Sequence, residues 1–360
     1  MTTIAIGTMK GAFLVDWDTG EVSEPLFPGW QVTAFGRSGD HYLTAVNSNW
    51  FGVGIQRSTD LQEWTPTDSP PAVAGTEGDG DAAGGDGAGD DDGAADGSDG
   101  VKAIWTFHRT RDALWAGVQD AAVFRSTDDG LTWTPVDGFN DHRTRDQWGP
   151  GLGGLCAHRI LGDDDQLYVA ASAVGVFRSD DGGATFEPCN DGVPAVGLPD
   201  DVPRPEVGYC VHGLQMDPDD PRRLWRQDHV GMFQSVDGAA TWTRNEDGLP
   251  AAFGFVMHRD AASGRLFTQP LHSDGQRIPV DGDFRVYRSD DDGATWQVSG
   301  TGWPTAPTHT QVLRGAVAGD GNGKVVMGTT AGTVWRTGDA GETWDELDLT
   351  TPRILSVSVW

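Results

Sequence analysis

Lysine is nearly missing from this chain. Three of its 360 residues are lysine (Lys10, Lys102 and Lys324), against 54 aspartates and glutamates, and the formal charge is −29. A surface this acidic repels phosphate backbones, which excludes a nucleic-acid partner. It also repels itself until salt shortens the screening length to about 3 Å near 1 M, so stability at molar salt is expected. Cysteine is scarce as well: Cys156, Cys189 and Cys210 are an odd, low count that builds no disulfide framework. No apolar run approaches a membrane span. The first residues, Met1-Thr2-Thr3-Ile4-Ala5-Ile6-Gly7, alternate like a strand and lack the charged start, apolar core and cleavage site of a signal peptide. The expectation is a cytoplasmic, membrane-free monomer.

Glycine (51) and tryptophan (15) are abundant, and their placement is periodic. Ser126-Thr127-Asp128-Asp129-Gly130-Leu131-Thr132-Trp133 reads S-x-D-x-G-x-T-W. Versions begin at Ser179, Ser235, Ser289 and Thr337, at spacings of 53, 56, 54 and 48 residues, and a worn copy begins at Ser58. The aspartate suits a tight turn, where its carboxylate accepts backbone N–H bonds. The glycine supplies positive φ, and the closing aromatic is an apolar wedge. A period near fifty points to a propeller or solenoid.

Seven apolar segments open the repeats, at Val32–Phe35, Val101–Trp105, Gly154–His158, Cys210–Leu214, Phe253–Met257, Val312–Ala316 and Ile354–Ser358. Six are followed by two more strands and the turn motif. The seventh has none after it, but Thr3–Thr8, Gly11–Val15 and Glu21–Pro25 match the missing strands. The reading is an all-β fold: a seven-bladed β-propeller of four-stranded antiparallel blades, one domain over residues 1–360. The C-terminal strand completes the N-terminal blade, which hides sheet edges. Residues 75–100 interrupt the first full repeat with ten glycines and nine acidic residues. Such a segment cannot bury a core, and a disordered acidic insertion is expected.

Chemistry in a propeller is sought where the innermost strands begin. Cys156-Ala157-His158 and Cys210-Val211-His212 are both C-x-H on consecutive innermost strands, and strand alternation puts each Cys and His on one side. With His229 they form a possible soft-ligand set for zinc. The alternative is buried thiols and backbone-bonded imidazoles, with no cofactor required. Arg143, Arg145, Asp146, Gln147 and Trp148 crowd the loop before Cys156. Trp30, Asn47, Trp50, His158, His212, Asp228, His229 and Arg314 fall at corresponding places. Arginine with tryptophan and amides suits a small carboxylate-bearing or sugar-like ligand, or a protein partner. The loop charges pairing with one another is the competing reading.

The turn motif resembles the Asp-box, or BNR repeat, of sialidases, sortilin-type receptors and photosystem II assembly-factor-like propellers. Thr144–Trp148, Gly153–Cys156, Pro205–Gly208 and Cys210–His212 are similar to a microbial group of WD40/YVTN/BNR-like proteins often labelled glycosyl hydrolase. The Asp-rich, Lys-poor composition resembles that of halophiles. The resemblance implies a seven-bladed propeller acting as a scaffold, assembly factor or ligand binder. A sialidase-type glycoside hydrolase is the alternative it implies, with Tyr209 as nucleophile and Glu206 as its partner. The sialidase Arg-Ile-Pro motif occurs here as Arg277-Ile278-Pro279, late in the chain rather than near its start.

Overall fold

The computed structural model describes residues 2–48, 50–72, 101–151, 153–196 and 203–360. The expected acidic insertion, 75–100, lies outside the described residues. Nearly all regular structure is β. Five four-stranded antiparallel sheets follow one another along the chain, opening with Gln31–Ser38, Ile104–Arg109, Cys156–Gly162, Val211–Met216 and His258–Arg259. A further sheet holds Val312–Gly319, Val325–Thr329, Val334–Thr337 and Asp345–Glu346 as an antiparallel run. One parallel bridge, Gly315 to Ser356, joins that run to Ile354–Val359. Ile354–Val359 in turn pairs antiparallel with Thr3–Thr8, which pairs with Gly11–Asp16. No described helix is long and apolar enough to cross a membrane.

The first strands of neighbouring sheets pack side by side. Ile354–Val359 lies against Gln31–Ser38, which lies against Ile104–Arg109, followed by Cys156–Gly162, Val211–Met216 and His258–Arg259. Side chains lace these strands together. Ser356 Oγ donates to the Val32 carbonyl, Thr33 Oγ1 to Ile104 and Gln215 Nε2 to Met257. Between the sheets lie separate apolar layers, such as Val123, Ile160, Val169 and Phe177, or Tyr168, Leu214, Phe233 and Trp242.

The repeated turns act as the sequence requires. Asp181 accepts the Thr185 N–H at 2.9 Å and its hydroxyl at 2.6 Å. The Ser179 hydroxyl donates to Asp181 at 2.8 Å while accepting the Gly183 N–H at 2.9 Å. The same bonds recur at Asp128, Asp237, Asp291 and Asp339. Gly183 sits at φ +88°, and a Cβ there would come within 2.8 Å of the Trp115 ring. Ala239 holds the equivalent place at φ +66°. The closing tryptophan reaches across to the preceding sheet: Trp242 Nε1 donates to the Cys189 carbonyl and Trp296 Nε1 to Asn245.

Three expectations shift. The fifth sheet opens at His258–Arg259, while Phe253–Gly254 leaves the sheet and pairs with Pro270–Leu271. Glu21–Pro25 forms no continuous strand, only bridges from Val22 to Val15 and from Leu26 to Ala12. The innermost strands also do not alternate regularly. A β-bulge falls at Thr33, Trp105, His158 and His212, the same place in four successive sheets. A bulge re-aims the extra residue's side chain.

Candidate functional site

Loops entering the first strands and turns joining second to third strands meet at one end of the sheets. His229 is in such a turn, between Leu224–Asp228 and Gly231–Ser235, and its N–H donates to the Cys210 carbonyl at 2.9 Å. Cys210 leads into Val211–Met216. Its Sγ lies 3.4 Å from Nε2 of His212, whose Nδ1 is 2.7 Å from the Gly254 carbonyl. A carbonyl only accepts, so the Nδ1 of His212 carries the proton and its Nε2 lone pair faces the thiol. The ligand atoms of Cys210, His212 and His229 all lie within 4.8 Å of one another.

Aromatic rings close around this cluster. Phe255 lies 4.7 Å from the His212 ring, and Phe253 touches both imidazoles at 5.2 and 5.4 Å. The Arg314 guanidinium stacks 5.0 Å from Phe255, and Arg277 stacks on the same ring at 5.5 Å. Among the described residues Arg314 has no ion-pair partner, and its buried Nε has no hydrogen-bond partner. Burial raises the Cys156 thiol to about 11 and also raises Cys210. Burial, with Arg314 adding to it, holds His158 down to about 3 and His212 well below an ordinary imidazole. Both rings are therefore neutral at neutral pH.

The two Cys-x-His pairs separate. His158 gives its Nε2 to the Val211 carbonyl at 2.8 Å. The bulge at His158 turns the ring toward the next sheet, so simple alternation with Cys156 fails. His212 occupies the matching bulge but uses the opposite ring nitrogen, which frees Nε2. Of the five residues expected as metal ligands, Cys210, His212 and His229 converge, and Cys156 and His158 stand outside that group.

The proposed nucleophilic pair is not assembled. Tyr209 is 2% exposed, its hydroxyl donates to the Pro205 carbonyl at 2.9 Å, and burial raises it above an ordinary phenol. Glu206 instead clasps Arg143 at 2.5 Å on the surface. Arg143 also binds Glu187, so it staples loops. Arg145 donates to the carbonyls of Asp120 and Ala121 and stacks 4.5 Å from Trp148. Trp148 packs on Phe139 and Phe177. Asp146 and Gln147 are exposed. Asp228 is buried in an ion pair with Arg226. Asn47 donates to the Lys102 carbonyl. Trp30 is half-buried against Phe51, whereas Trp50 and Phe51 are 83% and 81% exposed. Most of these residues hold loops and do not converge on one pocket.

The sequence alone does not mark Phe253, Phe255 and Arg277 as site residues. Phe253 and Phe255 are two apart, which places them on one side of an extended segment. Arg277 reaches Phe255 only because a long insertion folds back.

The fold is that of a β-propeller. No family model matches the chain. It is similar in structure to a GH74 enzyme of Niastella koreensis, with TM-score 0.56 and 14% identity, over 88% of this chain and 45% of that one. It is also similar to YCF48 from Cyanidioschyzon merolae, with TM-score 0.54 and 11% identity, over 89% and 86% of the two chains. A further solved neighbour is YCF48 bound to D1 peptide, with TM-score 0.50 and 12% identity, over 94% and 91%. In sequence, 192 residues are 29% identical to a xyloglucanase of Paenibacillus sp, 48% of this chain and 18% of that protein. The chain thus spans less than a fifth of that relative's length.

Proposed function

We propose that this chain is a closed seven-bladed propeller of the Asp-box type that binds a carboxylate-bearing ligand or protein partner where its incoming loops meet. In this reading the runs Val312–Glu346 and Ile354–Asp16 are the sixth and seventh blades. The observation that carries the binding role is Arg314. Its guanidinium is half-buried on Phe255 and lacks an acidic partner among the described residues, in a chain of net charge −29. A desolvated cation with open donors matches a carboxylate from outside. Exposed Trp50 and Phe51 add apolar surface for a larger partner. The peptide-bound YCF48 neighbour supports a partner-binding role for this architecture.

The second reading, a glycoside hydrolase, is favoured by the stretch similar to a xyloglucanase. It needs two carboxyl groups, or a tyrosine and a glutamate, about 5 to 10 Å apart in an open site. Tyr209 and Glu206 do not supply this, since one is buried and the other is bound to Arg143.

The test is a thermal-shift panel of sugar acids, amino acids and short acidic peptides, run beside turnover assays on xyloglucan and fluorogenic sialosides at molar salt. The binding reading expects a carboxylate ligand that raises the melting temperature of the wild type and not of Arg314→Ala. Turnover with no such ligand would replace it with the hydrolase reading.

A further inference from the structure

We propose that Cys210, His212 and His229 form a binding site for one thiophilic divalent ion of the zinc type, with a fourth position left for an exchangeable ligand. The inference goes beyond the carboxylate-binding reading and does not depend on it.

The donor set suits the ion. One thiol and two imidazoles are the soft and borderline ligands that zinc prefers over hard oxygen-binding cations. The spacing suits it too. With metal–sulfur near 2.3 Å and metal–nitrogen near 2.0 Å in a tetrahedron, the sulfur and nitrogen ligands stand about 3.5 Å apart. Cys210 Sγ and His212 Nε2 are 3.4 Å apart. The third ligand atom lies within 4.8 Å of both. In the proposed bound state the His229 ring turns to bring its nitrogen to about 3.5 Å from the other ligand atoms.

The supporting contacts are those of a ligand shell. His212 donates its other ring proton to the Gly254 carbonyl at 2.7 Å, which fixes both the tautomer and the ring plane. That outer bond is what metal-binding histidines ordinarily carry. His158, in the matching bulge, shows the contrast: its Nε2 is consumed by a carbonyl. The backbone bond from His229 to Cys210 ties the second-to-third-strand turn to the incoming loop. The two loops therefore hold the ligands in register. Phe253 and Phe255 wall the cluster. Binding would convert the Cys210 S–H to a metal-bound thiolate, with its proton released to solvent.

The full chain, stripped with chelator in molar potassium chloride, is titrated with Co2+ and then Zn2+. The expected result is one equivalent of Co2+, a thiolate-to-cobalt charge-transfer band, visible bands of four-coordinate cobalt, and loss of all of them as Zn2+ displaces the cobalt. Cys210→Ser removes the charge-transfer band and weakens binding at least on the order of 100-fold. Cys156→Ser and Cys189→Ser keep the band. His229→Gln changes a half-buried turn residue, so it tests the site even if Cys210→Ser does not fold; it should weaken binding without moving the far-UV circular dichroism. A wild-type chain with no charge-transfer band overturns the proposal. So does a band that survives Cys210→Ser, one that vanishes in Cys156→Ser, or unchanged affinity in folded His229→Gln.

Discussion

Arg226 and Asp228, two residues apart on one strand, form an ion pair that is 0% and 1% exposed, with Nε and Nη2 of the guanidinium on one carboxylate oxygen at 2.9 and 2.5 Å. The pair is part of a network. Arg226 Nη1 also donates to Asn190 Oδ1 at 2.8 Å, and Asn190 Nδ2 donates to the Glu206 carbonyl. The guanidinium lies between the rings of Tyr209 and Trp242. Asp228 sits one residue from His229, yet its chemistry is spent on the fold. Removing one partner strands a buried charge, which costs about 3 to 5 kcal/mol. Asp228→Ala should therefore lower stability by that amount in denaturant titration, and a paired Arg226→Met, Asp228→Leu variant should recover much of it.

The repeated turns predict a second loss. In Asp237 and Asp291 the carboxylate is held below its usual range by the hydroxyl and N–H of the following threonine, Thr241 or Thr295. Asp237→Ala or Asp291→Ala should drop the melting temperature by about 1 to 2 °C, the shift expected of about 1 kcal/mol in a chain of 360 residues. Because the folded carboxyl is depressed, its contribution is full above about pH 4 and fades as pH falls further. Scanning calorimetry should show the gap between wild type and mutant narrowing below pH 4.

His258 predicts a loss at milder acidity. It is packed on Phe267, its Nε2 has no hydrogen-bond partner, and burial with the Arg159 charge lowers it to about 4, only partly opposed by Asp260. The unfolded ring takes a proton near pH 6.5 and the folded ring resists it. Stability from this group is complete above pH 6.5 and is lost progressively down to pH 4. A neutral replacement of similar bulk, His258→Gln, should flatten that part of the pH–stability curve, measured as denaturation midpoints from pH 7 to 4.5.

The proposed closure of the ring makes a fourth prediction. Ile4, Ala5 and Ile6 pair with Val359, Ser358 and Val357, and Ile4, Ala5 and Ile6 are fully buried. Deleting Ile354–Trp360 bares one edge of Thr3–Thr8 and the inner side of Gln31–Ser38. Exposed edges template further pairing. Aggregation or a large loss of melting temperature is expected, and a soluble, monomeric truncation with unchanged melting would count against a closed ring.

Salt supplies the last one. With 54 acidic residues against 25 basic ones, repulsion should dominate in dilute buffer. The melting temperature should rise between 0.1 M and 2 M potassium chloride, and the scattering radius should shrink. Identical values at both concentrations would remove the case for a salt-adapted surface.

Much of the architecture was legible in the residues. The S-x-D-x-G-x-T-W turns could be read because every contact they make is local: Ser126 with Asp128, Asp128 with Thr132. Thr3–Thr8 could be matched to Ile354–Val359 because a repeat that lacks strands at one end and a surplus at the other has one complement. Glu21–Pro25 reads as a strand in sequence because two isolated bridges leave no pattern that differs from a short strand. Phe253–Gly254 reads as part of an innermost strand because an apolar run does not say which neighbour it pairs with.

The site divides along the same line. The amino-acid sequence by itself determined which groups exist where strands begin: two Cys-x-His pairs, a histidine turn and a set of arginines. Only the tertiary structure decided which of them meet. A one-residue bulge falls at His158 and at His212, and each ring answers to a carbonyl of a later segment, Val211 for one and Gly254 for the other. Those carbonyls are 53 and 42 residues away in the chain, so the choice of ring nitrogen is a long-range packing outcome. The loop arginines follow the same rule. Arg143 and Arg145 looked equal to Arg314 in sequence, but folding brought acids and carbonyls to the first two and a phenyl face to the third.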